Sequence, residues 1–242
     1  MAQVLLIHGS CHGAWCWRDV LPLLRGAGHE AWAIDLPSHG GDTTPVSEVT
    51  LASYADRIIR DLKAPTLLVG HSAGGFAIGE AALRAPEKVT GLVYLCGYRP
   101  EENRSLVDMM KDAEDRPLKD ALDVAADRLS FRFRPDRIED RLYHDCPKGT
   151  ADMARALLDW QAIAPQTTPL SAPLPANITE DYILCENDRA IPPSHQERMA
   201  KGLPTDHVHC LATGHSPFFA APQALSNCIV TILARQSAQK TP

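Results

Sequence analysis

Six short apolar runs constrain this chain more than any other feature. They are Val4 to Ile7, Glu30 to Ile34, Thr66 to Val69, Gly91 to Cys96, Asp181 to Cys185 and His207 to Leu211. Each is rich in Val, Ile or Leu, too short for a helix, and without the clean alternation of a half-buried strand. That pattern predicts strands buried on both faces, which means a parallel sheet. Between the runs lie stretches with helical spacing: Trp17 to Gly26, Leu51 to Leu62, Ala73 to Ala85, Pro192 to Lys201 and Pro222 to Ala234. Strand alternating with helix predicts an α/β fold, a mostly parallel six-stranded sheet flanked by helices.

One region breaks the rhythm. Residues 98–178 carry many charges and no convincing strand, and helical stretches are expected at Leu106 to Lys111, Leu118 to Leu129 and Thr150 to Trp160. The region reads as a helical cap inserted into a core made of 1–97 and 179–242. At 242 residues, one domain with such an insertion fits the length. The apolar share of 45% and charged share of 22% are those of an ordinary globule and exclude disorder or a coiled coil. A net charge of −6 with no basic block argues against a nucleic-acid partner. No apolar run approaches the roughly 18 residues of a membrane span. Met1-Ala2-Gln3 leads straight into an apolar run, so no export signal is expected. Seven cysteines, an odd number without C-x-x-C spacing, predict reduced thiols in a cytoplasm rather than a disulfide or zinc framework.

The sharpest local signal is Gly70-His71-Ser72-Ala73-Gly74, placed between a predicted strand and a predicted helix. This is the setting of a G-x-S-x-G nucleophile elbow, in which Ser72 stands exposed above the sheet. A serine hydroxyl needs a base to take its proton, and the base needs a carboxylate to orient it. Asp188 follows the fifth run and His215 the sixth, both where open parallel sheets build their sites. Glu186 competes with Asp188 but lies closer to the strand body. His207 and His209 alternate along the last run, and His195 opens a helix, so neither position suits a base. The backbone N–H of Ala73 is one expected oxyanion donor, and that of Ser10, in the Gly-containing loop after the first run, is assigned as the second. His8 and His12 in that loop are read as bonded within it, because no third ligand stands at metal spacing. Expected substrate contacts are Gly9, Cys11, His71, Phe131, Phe133, Trp160, Phe218 and Phe219. No metal site is expected.

The run Leu6-Ile7-His8-Gly9-Ser10-Cys11-His12-Gly13-Ala14-Trp15-Cys16-Trp17 resembles the first-loop signature of one α/β-hydrolase branch. That branch holds plant methylesterases, hydroxynitrile lyases and related bacterial carboxylesterases. The resemblance continues through Gly70 to Gly75, Asp188-Arg189-Ala190-Ile191-Pro192 and Gly214-His215, and is weak across the cap. It implies Ser72 as nucleophile, His215 as base, Asp188 as acid, and the amides of Ser10 and Ala73 as oxyanion donors. It also implies strand order 2-1-3-4-5-6, a homodimer and no cofactor. The expected activity is serine carboxylesterase action on a small, apolar ester. Two alternatives remain: a lyase cleaving cyanohydrins, whose threonine and lysine are replaced here by Gly9 and Ser216, and a non-catalytic receptor on the same fold.

Overall fold

The structure is a computed structural model and describes residues 1–239. Its main sheet contains β1 (Gln3–Ile7), β2 (Glu30–Ile34), β3 (Thr66–His71) and β4 (Val89–Leu95). The insertion adds three short strands, β5 (Leu122–Val124), β6 (Ser130–Phe133) and β7 (Gln161–Ala162). The sheet is completed by β8 (Glu180–Cys185) and β9 (Val208–Leu211), in the order β2-β1-β3-β4-β8-β9. Every pairing in this sheet is parallel. With the insertion's strands set aside, that is the order the resemblance implied. All six residues of β3 are buried, which explains why its sequence shows no alternation.

Helices cover the sheet: α1 (Leu21–Gly26), α2 (Leu51–Asp61) and α3 (Gly74–Arg84) before the insertion. The insertion carries α4 (Leu106–Lys111), α5 (Ile138–Leu142), α6 (Thr150–Leu157) and α7 (Ala164–Thr167). Three more follow it: α8 (Pro193–Ala200), α9 (Pro217–Ala220) and α10 (Pro222–Gln239). Among the described residues no helix is long and apolar enough to cross a membrane. The start of α2 is fixed by a reciprocal cap. Thr50 Oγ1 accepts from the Ser53 N–H at 3.0 Å, and Ser53 Oγ accepts from the Thr50 N–H at 2.9 Å. Such a cap stabilises a helix by about 1 kcal/mol, and here it fixes the helix that presents Tyr54 to the insertion.

The insertion is not purely helical, as the sequence suggested. The stretch Leu118 to Leu129 forms no helix. It contains β5 and a turn in which Arg128 adopts a left-handed φ of 59°. The strand β6 then pairs antiparallel with both β5 and β7. Its Ser130-Phe131-Arg132-Phe133 pattern buries Phe131 and Phe133 and exposes Arg132, the two-residue period of a strand. The insertion also shares an apolar cluster with the sheet: Phe131, Phe133, Leu142 and Ala154 join Val4, Leu6 and Val69. Its root is held by Arg99, which donates to both carboxylate oxygens of Glu180, at 3.1 and 2.8 Å.

Candidate active site

The site is built where β1, β3, β8 and β9 end. After β3 the chain turns so sharply that Ser72 takes a left-handed φ of 51°. A non-glycine residue there stores strain of roughly 1–3 kcal/mol, a cost tolerated where geometry serves chemistry. The turn needs small neighbours. A Cβ on Gly74 would lie 2.7 Å from the His8 carbonyl oxygen, so α3 packs against β1 only through a bare backbone. Ser72 is 9% exposed and stands just before α3, whose N-terminus favours negative charge. Among the described residues, no hydrogen bond is formed by the N–H of Ser10 or of Ala73, and both residues border one cavity. That cavity is narrow, with about 10 Å³ of room, and runs between the loop after β1, the start of α3 and the insertion. Its walls are mostly apolar, including Leu36, Leu51, Phe76, Leu106 and Pro165.

His215 and Asp188 come together from the loops after β9 and β8. The His215 Nδ1–H donates to Asp188 Oδ2 at 2.7 Å, and both residues are buried. An ionised carboxylate can only accept, so Nδ1 is a protonated nitrogen in this pair and Nε2 is the one turned away from the carboxylate. The carboxylate is itself held on every side. Oδ1 accepts the N–H groups of Ala190 at 2.7 Å and Ile191 at 2.9 Å. Oδ2 also accepts from Gln196 Nε2 at 2.9 Å. Glu186, the competing acid, is exposed. His71 Nε2–H donates to the His215 carbonyl at 2.8 Å and so fixes the base's backbone. Asp145, from the insertion, accepts the Gly214 N–H at 2.5 Å one residue earlier. No hydrogen bond joins Ser72 Oγ to His215 among the described residues; such contacts often tighten only when substrate binds.

The loop after β1 is braced by its histidines, as the sequence suggested. His8 Nδ1–H donates to the Gly9 carbonyl at 2.8 Å while its Nε2 accepts the Leu36 N–H at 3.1 Å. His12 Nδ1–H donates to the Ser10 carbonyl at 2.8 Å, and Tyr143 Oη donates to its Nε2 at 2.7 Å. Burial lowers His12 to about 4 and holds His8 and His71 well below the usual imidazole range, so these rings are neutral braces.

Several expected substrate contacts have other duties. Phe218 is fully buried and packs on Trp17 and His71, with ring centroids 5.3 and 5.0 Å away. Phe219 lies against Phe218, Trp15 and Tyr143. Phe131 and Phe133 belong to the apolar cluster under the insertion. Trp160 is 36% exposed with Arg132 over its ring, on the outside of the insertion rather than at the site. Cys11 is fully buried, and burial pushes its thiol far above the usual range, so it neither reacts nor borders the cavity. His71 is a brace. Gly9 does border the cavity, but the space beside it is full. A Cβ there would lie 2.8 Å from both His71 Nδ1 and Ser72 Cβ.

One metal-like grouping occurs among the described residues. Ligand atoms of His71, Cys96 and His215 lie within 4.8 Å of one another, all buried. The donor chemistry opposes an ion there. His71 Nε2 and Cys96 Sγ both point at the His215 carbonyl, at 2.8 and 3.6 Å. Burial, then Cys185 and Asp188, push the Cys96 thiol well above its usual range, so the thiolate that would bind an ion is disfavoured. Sequence reasoning missed Gln196, Gln161, Gln166, Tyr143 and Asp145. All five act on a backbone or a neighbouring side chain, and only Gln196 carries a local clue, eight residues past Asp188 on the next helix.

A parallel α/β sheet, a strained serine between strand and helix, and a histidine paired with a buried aspartate define a protein of the hydrolase class. The chain belongs to the alpha/beta hydrolase family, whose pattern it matches over residues 4–227. It is 29% identical to methylesterase 1 of Arabidopsis thaliana, over 94% of each chain. It is 27% identical to methyl jasmonate esterase 1 of Vitis vinifera, over 90% of this chain and 91% of that one. Among solved structures, a pyrethroid hydrolase from Sphingobium faniae superposes with a TM-score of 0.85 at 25% identity, covering 96% of this chain and 97% of the other. The protein is an enzyme of the carboxylic ester hydrolase kind, as its relatives, named esterases and hydrolases, indicate.

Proposed function

We propose that the protein is a serine carboxylesterase acting on a small, apolar ester. The observation that carries this reading is the 2.7 Å His215–Asp188 pair, which engages Nδ1 and leaves Nε2 as the nitrogen that can act as base for Ser72 in its strained turn. Ser72 Oγ attacks the ester carbonyl carbon as its proton passes to Nε2. Charge develops on the carbonyl oxygen, and the free N–H groups of Ser10 and Ala73 receive it. Each donor of this kind stabilises the transition state by about 3 kcal/mol. Collapse expels the alcohol with the proton from His215, leaving an acyl-Ser72 ester. Water, deprotonated by the same nitrogen, then attacks that ester and releases the acid. Named esterases and a pyrethroid hydrolase among the relatives support the reaction class, and the apolar cavity wall supports an apolar substrate. The seven unpaired cysteines fit a reducing cytoplasm as its location. The test is hydrolysis of p-nitrophenyl acetate by the wild type and by Ser72→Ala. Fast turnover that falls at least about 10⁴-fold in the variant is expected. Saturable binding without turnover would favour the receptor reading instead.

A further inference from the structure

The loop that carries the Ser10 N–H is not held by the hydrolase core alone. Cys11, its next residue, sits in the left-handed region with φ 62°, a conformation that L residues keep only when their surroundings enforce it. Both backbone groups of Cys11 leave the loop and bond to the insertion. Its N–H donates to Gln161 Oε1 at 3.2 Å, and its carbonyl accepts the Asp159 N–H at 2.8 Å. The Ser10 hydroxyl accepts from Gln166 Nε2 at 2.7 Å.

These partners are themselves tied down. Gln161 is 3% exposed, and its Nε2 donates to Tyr54 Oη and to the Ala162 carbonyl, each at 3.0 Å. Two acceptors on the nitrogen leave only the oxygen for Cys11, so the carboxamide has one consistent orientation. Asp159 Oδ2 accepts the Gly40 N–H at 2.7 Å, which anchors the same segment to the loop after β2. The histidines hold the neighbouring carbonyls, Gly9 through His8 and Ser10 through His12. The Ser10–Cys11 peptide is thus fixed on its carbonyl side by the core and on its N–H side by the insertion.

The geometry points to Gln161 and Gln166 as positioning residues of the oxyanion hole. Gln161 acts by holding Cys11 in its left-handed conformation and Gln166 by holding the Ser10 hydroxyl, and together they fix Ser10, whose N–H, on the Gly9–Ser10 peptide, faces the developing oxyanion. This assignment rests on the esterase reading above. Without Gln161 the Cys11 N–H is buried and unpaired, the left-handed residue is free to relax, and Ser10 shifts with it, so its N–H loses aim even though His8 still holds the Gly9 carbonyl. A ground-state ester needs this donor little and the tetrahedral state needs it most, so the loss falls on kcat and not on KM.

The experiment measures kcat and KM for p-nitrophenyl acetate, and the Ki of an alkyl trifluoromethyl ketone, whose adduct with the serine carries the oxyanion. Gln161→Met keeps the volume but removes the acceptor. It is expected to lower kcat by about 10- to 100-fold, with KM changed less than about threefold and the ketone Ki raised in step with the kcat loss. Gln166→Leu, at the margin of the cavity, serves if Gln161→Met does not fold; a kcat loss of about 3- to 10-fold with a matching rise in ketone Ki is expected. Wild-type kcat in the variant that folds, or an unchanged ketone Ki, overturns the assignment while the esterase reading stands. Hydrolysis that survives Ser72→Ala overturns the esterase reading, and this assignment with it.

Discussion

At the scale of single residues, the acid of the site differs from an ordinary surface aspartate by the number of donors aimed at it. Asp188 receives two backbone N–H groups, the Gln196 amide and the His215 ring. Asp188→Asn keeps the shape and reverses half of the chemistry. With the carbonyl of the new amide facing Ala190 and Ile191, its NH₂ must face Gln196 and His215, both now donors. His215 escapes the clash by moving its proton to Nε2, which removes the lone pair that Ser72 needs. The expected result is a kcat loss of about 10³- to 10⁴-fold with an intact fold, measured by ester hydrolysis beside circular dichroism. A variant within tenfold of the wild type would argue that the tautomer does not matter. The sequence showed this aspartate because it stands at a strand end and in a recognisable stretch. It hid Gln196, Gln161 and Gln166, because a glutamine that serves a backbone atom carries no spacing rule of its own. The placements of Phe218, buried, and Trp160, on the outside of the insertion, illustrate a related limit. An aromatic side chain packs equally well into a core, over an arginine or against a ligand, and only its neighbours distinguish these uses.

At the scale of elements, the site depends on how closely α3 approaches β1. The main strands and helices were legible because burial on both faces and 3.6-residue periodicity leave strong patterns. The insertion was less so. Leu118 to Leu129 has apolar residues at helical spacing, but its Asp127-Arg128 turn folds β5 back on β6, which β7, far along the chain, holds from its other side. Tertiary pairing of that kind overrides local propensity. The elbow offers a direct test of the α3–β1 contact. In Gly74→Ala the new methyl would stand 2.7 Å from the His8 carbonyl and 3.1 Å from that of Ile7, both backbone atoms that cannot rotate away. The helix must shift, and Ala73 and its N–H shift with it. Overpacking of this kind costs about 1–3 kcal/mol, read as a fall of several degrees in Tm. The rate should fall further than the lost stability explains, because the donor moves off its target. A Gly74→Ala protein with unchanged Tm and kcat would show that this contact is looser than the structure indicates.

At the scale of the whole molecule, the histidines link catalysis to acid stability. His8, His12, His39 and His71 are all buried, and burial is the first cause lowering each of them below the usual value. All four brace the loops around the nucleophile in the neutral form. In the unfolded chain they take up protons as pH falls through about 6.5, while in the fold His12 resists protonation down to about 4. The unfolded state therefore binds more protons throughout this window, and stability must fall as pH falls. It is fully present above about pH 7 and is lost progressively below about 6.5, by about 1.4 kcal/mol per pH unit for each histidine that remains neutral in the fold. Ordinary carboxylates titrate mostly below pH 5, so the interval from 6.5 to 5 isolates the histidines. We expect Tm to drop steeply between pH 7 and pH 5. A single His39→Gln change, which keeps a donor for the Pro37 carbonyl, should make that drop shallower. A Tm that is flat over the interval would mean that the buried rings accept protons without strain. The same linkage limits the enzyme at its acid edge: there the loop holding the Ser10 N–H and the brace on His215 loosen together, so activity and fold should be lost over one pH range rather than in two steps.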